Sequence, residues 1–412
     1  MTTDLPTTPQ YALNLERLKP GDIILSRESA TFKEIVMDGH QLKGVAVSST
    51  VRAFSRGYSH AMLYLDKAIF HAVIPQVYSY NPQRLAIRRE SDICVLRCSQ
   101  LTDAKLKTID FFARTKIGAE YSIPEAVKVI WRRKSKRGTY SQRQFCSRFV
   151  AQAYHVAGLE LVSNPDFCAP GDFMKCGLLE KVPDVLRIAT ETDKEVWRTR
   201  DSVSSCGQKL NGWLHFVRTC AKEDGGDLQT IDDALEFLRV HPWLDDRFAN
   251  NLIESGYLDE WKQHDTGAAY RYHPVLRQEL ILSGKDTLLN MCRMEIQFVE
   301  LHSQNFVGLV AMNQGFDLKT IALFADLQKK LVEDGHKALQ SVITLIGGAY
   351  PMIGTADLIK FLLCSEALIN DDSQHLDRIK HLNELCNLGT SVLNRIADEE
   401  KMRRYPCQQV SS

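Results

Sequence analysis

The chain has 412 residues, 44% of them hydrophobic and 25% charged. At roughly 100–200 residues per domain this is enough for two or three packed domains. The balance excludes a disordered chain, a collagen-like repeat and a multi-span membrane protein. The formal net charge of zero conceals a split. Residues 1–190 hold 27 Lys+Arg against 18 Asp+Glu, leaving 24 against 33 in residues 191–412. A basic half followed by an acidic half marks two unlike domains, expected over 11–190 and 200–412.

Met1 to Leu18 offers no basic n-region and no apolar h-region, and it carries Asp4 and Glu16. Neither a secretory signal nor an Arg-rich transit peptide is expected there. The eleven cysteines are odd in number and scattered, with no Cys-x-x-Cys. They read as reduced thiols of a cytoplasmic protein.

In chain order, residues 20–98 read as β-rich, with Ile23–Leu25, Tyr58–Leu65, Ala68–Ile74 and Asp92–Arg97 as strands and turns at Gly21-Asp22, Asp66-Lys67 and Asn81-Pro82. Glu28–Phe54 fits no regular pattern. From Thr102 the period changes to helical, with a Thr102/Asp103 cap. A second helix follows Pro124, and a third runs from about Cys146 to Ala157, stopped by Gly158. Beyond residue 190 the helical period dominates, as in Leu210–Ala221, Ile231–Val240, Leu288–Leu301, Leu318–Val332 and Leu376–Ile396. The uncharged stretch Ala338–Ala356 approaches the length of a membrane span. Its Gln340, Ser341 and Thr344, and the break at Gly347-Gly348-Ala-Tyr-Pro351, favour two short buried helices instead.

Three residues of the basic half combine into a chemistry. A two-residue turn at Asp66-Lys67 pairs Leu65 with Ala68, and so Met62 with His71. His60 shares the face of Met62 because side chains alternate with period 2. His71 is then diagonal to His60, within reach of a ring-to-ring hydrogen bond. Cys146 opens a helix, where unpaired N–H groups and the macrodipole favour an anion. That position is expected to lower the thiol pKa and to supply donors for an oxyanion. A nucleophile, a base and an orienting group are the parts of a thiol hydrolase. Two other readings use the same residues: a zinc site of two His and one Cys, and an inactive scaffold.

Leu18-Lys-Pro-Gly-Asp-Ile-Ile-Leu25, Ser59-His-Ala-Met-Leu-Tyr-Leu65, Ile69-Phe-His-Ala72 and Phe145-Cys-Ser-Arg-Phe-Val150 resemble the blocks of NlpC-type papain-like cysteine hydrolases. Here the Cys block comes last, an order similar to the circularly permuted branch of YiiX-like amidases and relatives of lecithin:retinol acyltransferase. The resemblance covers about residues 18–187. It implies an α+β fold with an antiparallel sheet, Cys146 as nucleophile, His60 as general base and His71 as the third member. Gly118-Ala-Glu-Tyr121 resembles the Gly-x-x-Tyr ahead of the Cys helix. Tyr121 and Ser147 are therefore the oxyanion or substrate candidates. Ala169-Pro-Gly-Asp172 resembles the segment closing the domain. Phe145 and Arg148 depart from the family pattern, which has Asp and a small residue there.

Between Tyr121 and Cys146 runs a basic stretch that includes Arg132, Arg133, Lys134, Lys136 and Arg137, with Trp131 beside it. A solvated face is the plain meaning of such a run. The alternatives are docking onto the acidic half, anionic headgroups or nucleic acid, and no nucleic-acid motif supports the last. The sequence thus predicts a permuted papain-like domain followed by an all-α domain that could recognise a protein partner. The predicted reaction is cleavage of an amide, peptide or ester bond in a peptide, protein or lipid through a thioester on Cys146, without cofactor or metal. An acyltransferase using the same thioester, or an inactive interaction platform, is the alternative.

Overall fold

The computed structural model describes residues 10–27, 57–65, 68–132, 142–199, 202–263, 269–284, 286–349, 355–370 and 375–404. Two compact units emerge, Met1–Phe237 and Leu238–Ser412. The first is mixed α+β around an antiparallel sheet, and helices make up the second.

The first unit holds β1 (Tyr11–Leu13), β2 (Ile23–Ser26), β3 (His60–Leu65), β4 (Ala68–Ala72), β5 (Val77–Tyr80), β6 (Ile93–Cys98), β7 (Leu179–Lys181) and β8 (Leu186–Ile188). Six of them form one sheet in the order β5-β4-β3-β2-β6-β7, while β1 pairs with β8. Period-2 alternation sorts β3 between two cores. Ala61, Leu63 and Leu65 pack with Phe149, Val150 and Ala153, whereas Met62 and Tyr64 pack with Leu13, Ile24, Ile87 and Val95. The strand is therefore buried along its whole length.

Around the sheet lie α1 (Asp103–Thr115), α2 (Ile123–Arg132), α3 (Cys146–Val156), α4 (Glu191–Arg198) and α5 (Ser202–Glu223). The Thr102 hydroxyl caps α1 by accepting from the Lys105 amide. Gly158, at φ +74°, ends the chain path out of α3. Helix α5, which the charge pattern grouped with the helical half, belongs to the first unit. Its buried Arg218 donates to the backbone oxygens of Gly118, Leu228 and Gln229.

The Lys-Pro-Gly-Asp block has a structural reason for each polar or small residue. Gly21 takes φ +92°, and a Cβ there would collide with Leu101. Its carbonyl accepts from the Tyr154 hydroxyl, which ties the turn to α3. Asp22 is fully buried and accepts a two-pronged pair from Arg97, at 2.8 and 2.7 Å, plus the Lys19 amide at 2.8 Å.

In the second unit, α6 (Ile231–Val240) carries the boundary, followed by α7 (Asp245–Glu254), α8 (Pro274–Leu282), α9 (Leu288–Asn313), α10 (Lys319–Ala349), α11 (Thr355–Asn370) and α12 (His375–Arg404). Leu, Ile, Val and Phe side chains of α9 to α12 share one core. Buried Glu295 pairs with Arg271 at 2.6 Å and Arg277 at 2.8 Å. The stretch 338–356 differs from expectation in one respect. Helix α10 runs through Gly347 and Gly348 to Ala349 before α11 begins, so the first partner is long. Among the described residues no helix is long and apolar enough to cross a membrane.

Candidate active site

The ladder between β3 and β4 joins Leu65 to Ala68, Tyr64 to Ile69 and Leu63 to Phe70. This is the register expected from a two-residue turn, although Asp66 and Lys67 themselves lie outside the described residues. Beyond Phe70 the two histidines meet. His60 Nε2 and His71 Nδ1 are 3.1 Å apart, with ring planes at 74°. Both rings are buried, and the His71 and Tyr80 ring centroids are 5.9 Å apart.

Cys146 begins α3, and no side chain caps that end, so the first-turn amides are open to an anion. The sulfur lies 4.0 Å from the Ser59 carbonyl, and the Ala61 N–H also points at it. Those two groups belong to the peptide units on either side of His60. In an antiparallel pair, alternate residues turn their amides to the same neighbour. Ala61 therefore continues the β4-facing edge of Leu63, just where the ladder gives way to the sulfur.

Hydrogen bonds fix the start of α3 against the sheet. The Tyr121 amide donates to Pro75 O at 2.8 Å, Gln144 N to Glu120 O at 2.8 Å and Ser122 N to Gln144 O at 2.7 Å. The segment before Cys146 is thus laced to the one carrying Tyr121, and that one to the turn after β4. Ser147, whose hydroxyl donates to Cys168 O at 2.6 Å, adds a second tie.

Arg148, a departure from the family pattern, is the strongest of these ties. It is 1% exposed and donates to Glu125 at 2.8 Å, to Arg143 O at 2.8 Å and to Asp166 O at 3.0 Å. Its guanidinium also sits over Phe145 and Phe167 at 4.6 and 5.2 Å. The two departures, Phe145 and Arg148, therefore explain each other. Arg148→Met leaves Glu125 and two carbonyls without their donor, and breaking a buried pair from one side costs ~3–5 kcal/mol. A urea unfolding midpoint well below wild type checks this.

Electrostatics correct one expectation. Burial pushes the Cys146 thiol up, and the amides of Ala61, Ser147 and Cys146 with the Ser147 hydroxyl only partly offset it. Removal from water outweighs the helix terminus. Burial likewise holds His60 well below its usual 6.5, helped by the charge His71 would carry, and takes His71 down to about 4. Near neutral pH the Cys146 thiol and both imidazoles are therefore uncharged. Iodoacetamide should consequently modify Cys146 more slowly at pH 7.5 than half-buried Cys176, with a rate that climbs past pH 9. Peptide-resolved mass spectrometry over pH 6–10 checks that order.

The Tyr121 phenol is pushed well above its usual range, first by burial and then by the charge Cys146 would carry. It stays a neutral hydrogen-bond donor near the sulfur. Burial, then the Asp172 charge and then the charge Cys146 would carry push the Cys168 thiol up, and it donates to Ser147 O at 3.4 Å. Sequence reasoning passed over Cys168, Gln144 and the clamp role of Arg148; only the short spacing of Arg148 from Cys146 signals any of them. Of the basic run, Arg132 ends α2. Its side chain and that of Trp131, with Arg133, Lys134, Lys136 and Arg137, lie outside the described residues, as does Glu28–Phe54. Among the described residues no three His, Cys, Asp or Glu side chains gather to hold a metal ion.

Comparison of the chain with protein-family models, curated proteins and solved structures returned no match.

Proposed function

We propose that the first unit is a thiol hydrolase of the permuted papain-like, NlpC-type kind, which cleaves an amide, peptide or ester bond through a thioester on Cys146. The observation that carries this reading is the sulfur seated against both peptide units of His60, whose ring is hydrogen-bonded to His71. As the sulfur attacks the acyl carbon, its proton passes to His60 Nδ1, while His60 Nε2–H donates to His71. The carbonyl electrons move onto oxygen, which first-turn amides of α3 and the Tyr121 hydroxyl would stabilise as donors. Collapse expels the leaving amine or alcohol, which takes the proton from His60. Water then gives a proton to His60 and attacks the thioester, and the Cys146 sulfur leaves, takes that proton back from His60 and releases the acid. An amine or lipid acceptor in place of water would make the same site an acyltransferase.

A neutral resting pair suits this sequence, because an unprotonated His60 is ready to act as base over the physiological range. The described cysteines are all free thiols, as a cytoplasmic setting would keep them. In this reading the acidic helical unit recognises a protein partner, and the basic run before Cys146 touches anionic groups.

The test is intact-mass spectrometry of acid-quenched protein after mixing with p-nitrophenyl esters and aryl amides of graded chain length. The expected result is one acyl adduct, mapped to the Cys146 peptide, with release of p-nitrophenol. Added amines divide hydrolysis from transfer by their products. Neither adduct nor turnover with any probe would leave an inactive platform as the better reading.

A further inference from the structure

Residues 118–122, which carry Tyr121, are held like a short strand along both edges. Toward the turn after β4, Gly118 N donates to Val77 O at 3.0 Å, Val77 N to Ala119 O at 2.9 Å and Tyr121 N to Pro75 O at 2.8 Å. On the other edge the Gln144 backbone meets Glu120 O and Ser122 N. The remaining amide on that edge is met by a side chain instead: Glu120 N donates to Gln229 Oε1 at 3.1 Å.

Gln229 stands just before α6, beyond the stretch 18–187 that resembles the hydrolases. It is 1% exposed and fixed from several sides. Its Nε2 donates to Asp227 Oδ1 at 2.7 Å, its N to Asp233 Oδ2 at 2.9 Å, and its O accepts from Arg218 at 2.6 Å. Asp227 also faces Arg143 at 3.4 Å, and Arg143 pairs with Glu120 at 2.9 Å. The contacts close a circuit from Glu120 N through Gln229, Asp227 and Arg143 back to the Glu120 carboxylate. Gly118 supplies an independent sign of the same fit. It takes φ +90°, and a Cβ there would collide with Leu214 of α5. The Gly-x-x-Tyr block is thus shaped to α5 and to the loop that follows it.

We propose that Gln229 is a positioning residue for Tyr121, so that the catalytic unit requires α5 and the loop after it; this rests on the thiol-hydrolase reading. Gln229 touches no reacting atom and acts through the Glu120 amide, one residue before Tyr121. An oxyanion donor works only at hydrogen-bond distance from the developing charge, so a small retreat of its strand weakens the transition state most. Without the carboxamide oxygen, Glu120 N–H turns to water and that edge of the strand loosens.

The experiment uses the full chain as wild type, Gln229→Met, Tyr121→Phe and the two substitutions together. Without substrate, peptide-resolved hydrogen exchange should run at least ~10-fold faster over residues 118–122 in Gln229→Met, with α1 peptides at the wild-type rate. With the p-nitrophenyl ester, Gln229→Met should lower kcat at least ~10-fold and leave KM unchanged, the mark of an interaction made in the transition state. Adding Gln229→Met to Tyr121→Phe should cost less than ~2-fold more, because the one acts through the other. Gln229→Glu combined with Asp227→Asn reverses that hydrogen bond while keeping an acceptor for Glu120 N, and should restore both readouts. If Gln229→Met does not fold, Gln229→Asn, one methylene too short to reach Glu120, takes its place. An absence of acyl-enzyme in wild type counts against the hydrolase reading, and the exchange rates then decide the positioning alone. Loosening confined to residues 118–122 supports it. Exchange unchanged there, or raised equally throughout the unit, overturns it, as does a kcat loss that persists in full on the Tyr121→Phe background.

Discussion

In Cys146→Ala, acyl-enzyme formation and ester turnover fall by about 10³-fold or more, and the fold survives. No neighbouring group replaces the sulfur: the Ser147 hydroxyl donates to Cys168 O, and burial holds the Cys168 thiol protonated far above neutrality. The stability change is small because a buried thiol packs as a small hydrophobe. Arg148, Ser147 and the Gln144–Tyr121 bonds hold the start of α3 without it. His60→Ala should lose ~10²–10⁴-fold, the usual worth of a positioned base. Its residual rate should rise with pH beyond 9, where the thiol ionises unaided, while wild type is already level above about pH 6.5. Stopped p-nitrophenol assays across pH 5–10, with urea melts of each variant, read both effects. Full turnover by Cys146→Ala would sink the thioester mechanism.

The contrast with Arg148→Met shows what could be read from the sequence and what could not. Period-2 alternation and a tight turn were enough to bring His60 to His71, because the register of a hairpin is local information. The start of α3 at Cys146 was equally local. Strands β1, β7 and β8 escaped notice because each is three residues long and depends on a partner distant in the chain, as in the pairing of Tyr11 with Ile188, and β5, which pairs with the neighbouring β4, is only four residues long. The direction of the Cys146 shift was also out of reach. A helix terminus is visible in sequence, but burial is a tertiary quantity, and here it is the larger effect. Arg148 looked like a misfit on the family pattern because its acceptors, Glu125, Arg143 O and Asp166 O, come from three separate segments. For the same reason α5 was grouped by charge with the acidic half, while Arg218 binds it to Gly118.

Acid should unfold the first unit through the same histidine pair. His71 keeps its proton off until about pH 4 when folded, whereas an exposed imidazole takes one near 6.5. Above pH 6.5 the ring is neutral in both states and stability does not depend on it. Between 6.5 and 4 the unfolded chain binds a proton that the folded chain refuses, so stability falls as pH falls. A depression of that size amounts to about 3 kcal/mol across the window. His60 adds to the loss in the same direction. His71→Gln removes the titrating ring while keeping an acceptor for His60 Nε2–H. Its urea midpoint should drop less than that of wild type between pH 7 and pH 4.5, by the equivalent of about 2–3 kcal/mol. His336, half-buried against Ser365 in the second unit and also held down to about 4 by burial, gives that unit an acid sensitivity of its own. It is common to both proteins, so only the difference between them reports on His71. Equal acid sensitivity in wild type and His71→Gln would mean that the pair is solvated in solution, and a solvated imidazole could not hold the buried geometry on which the base at His60 depends.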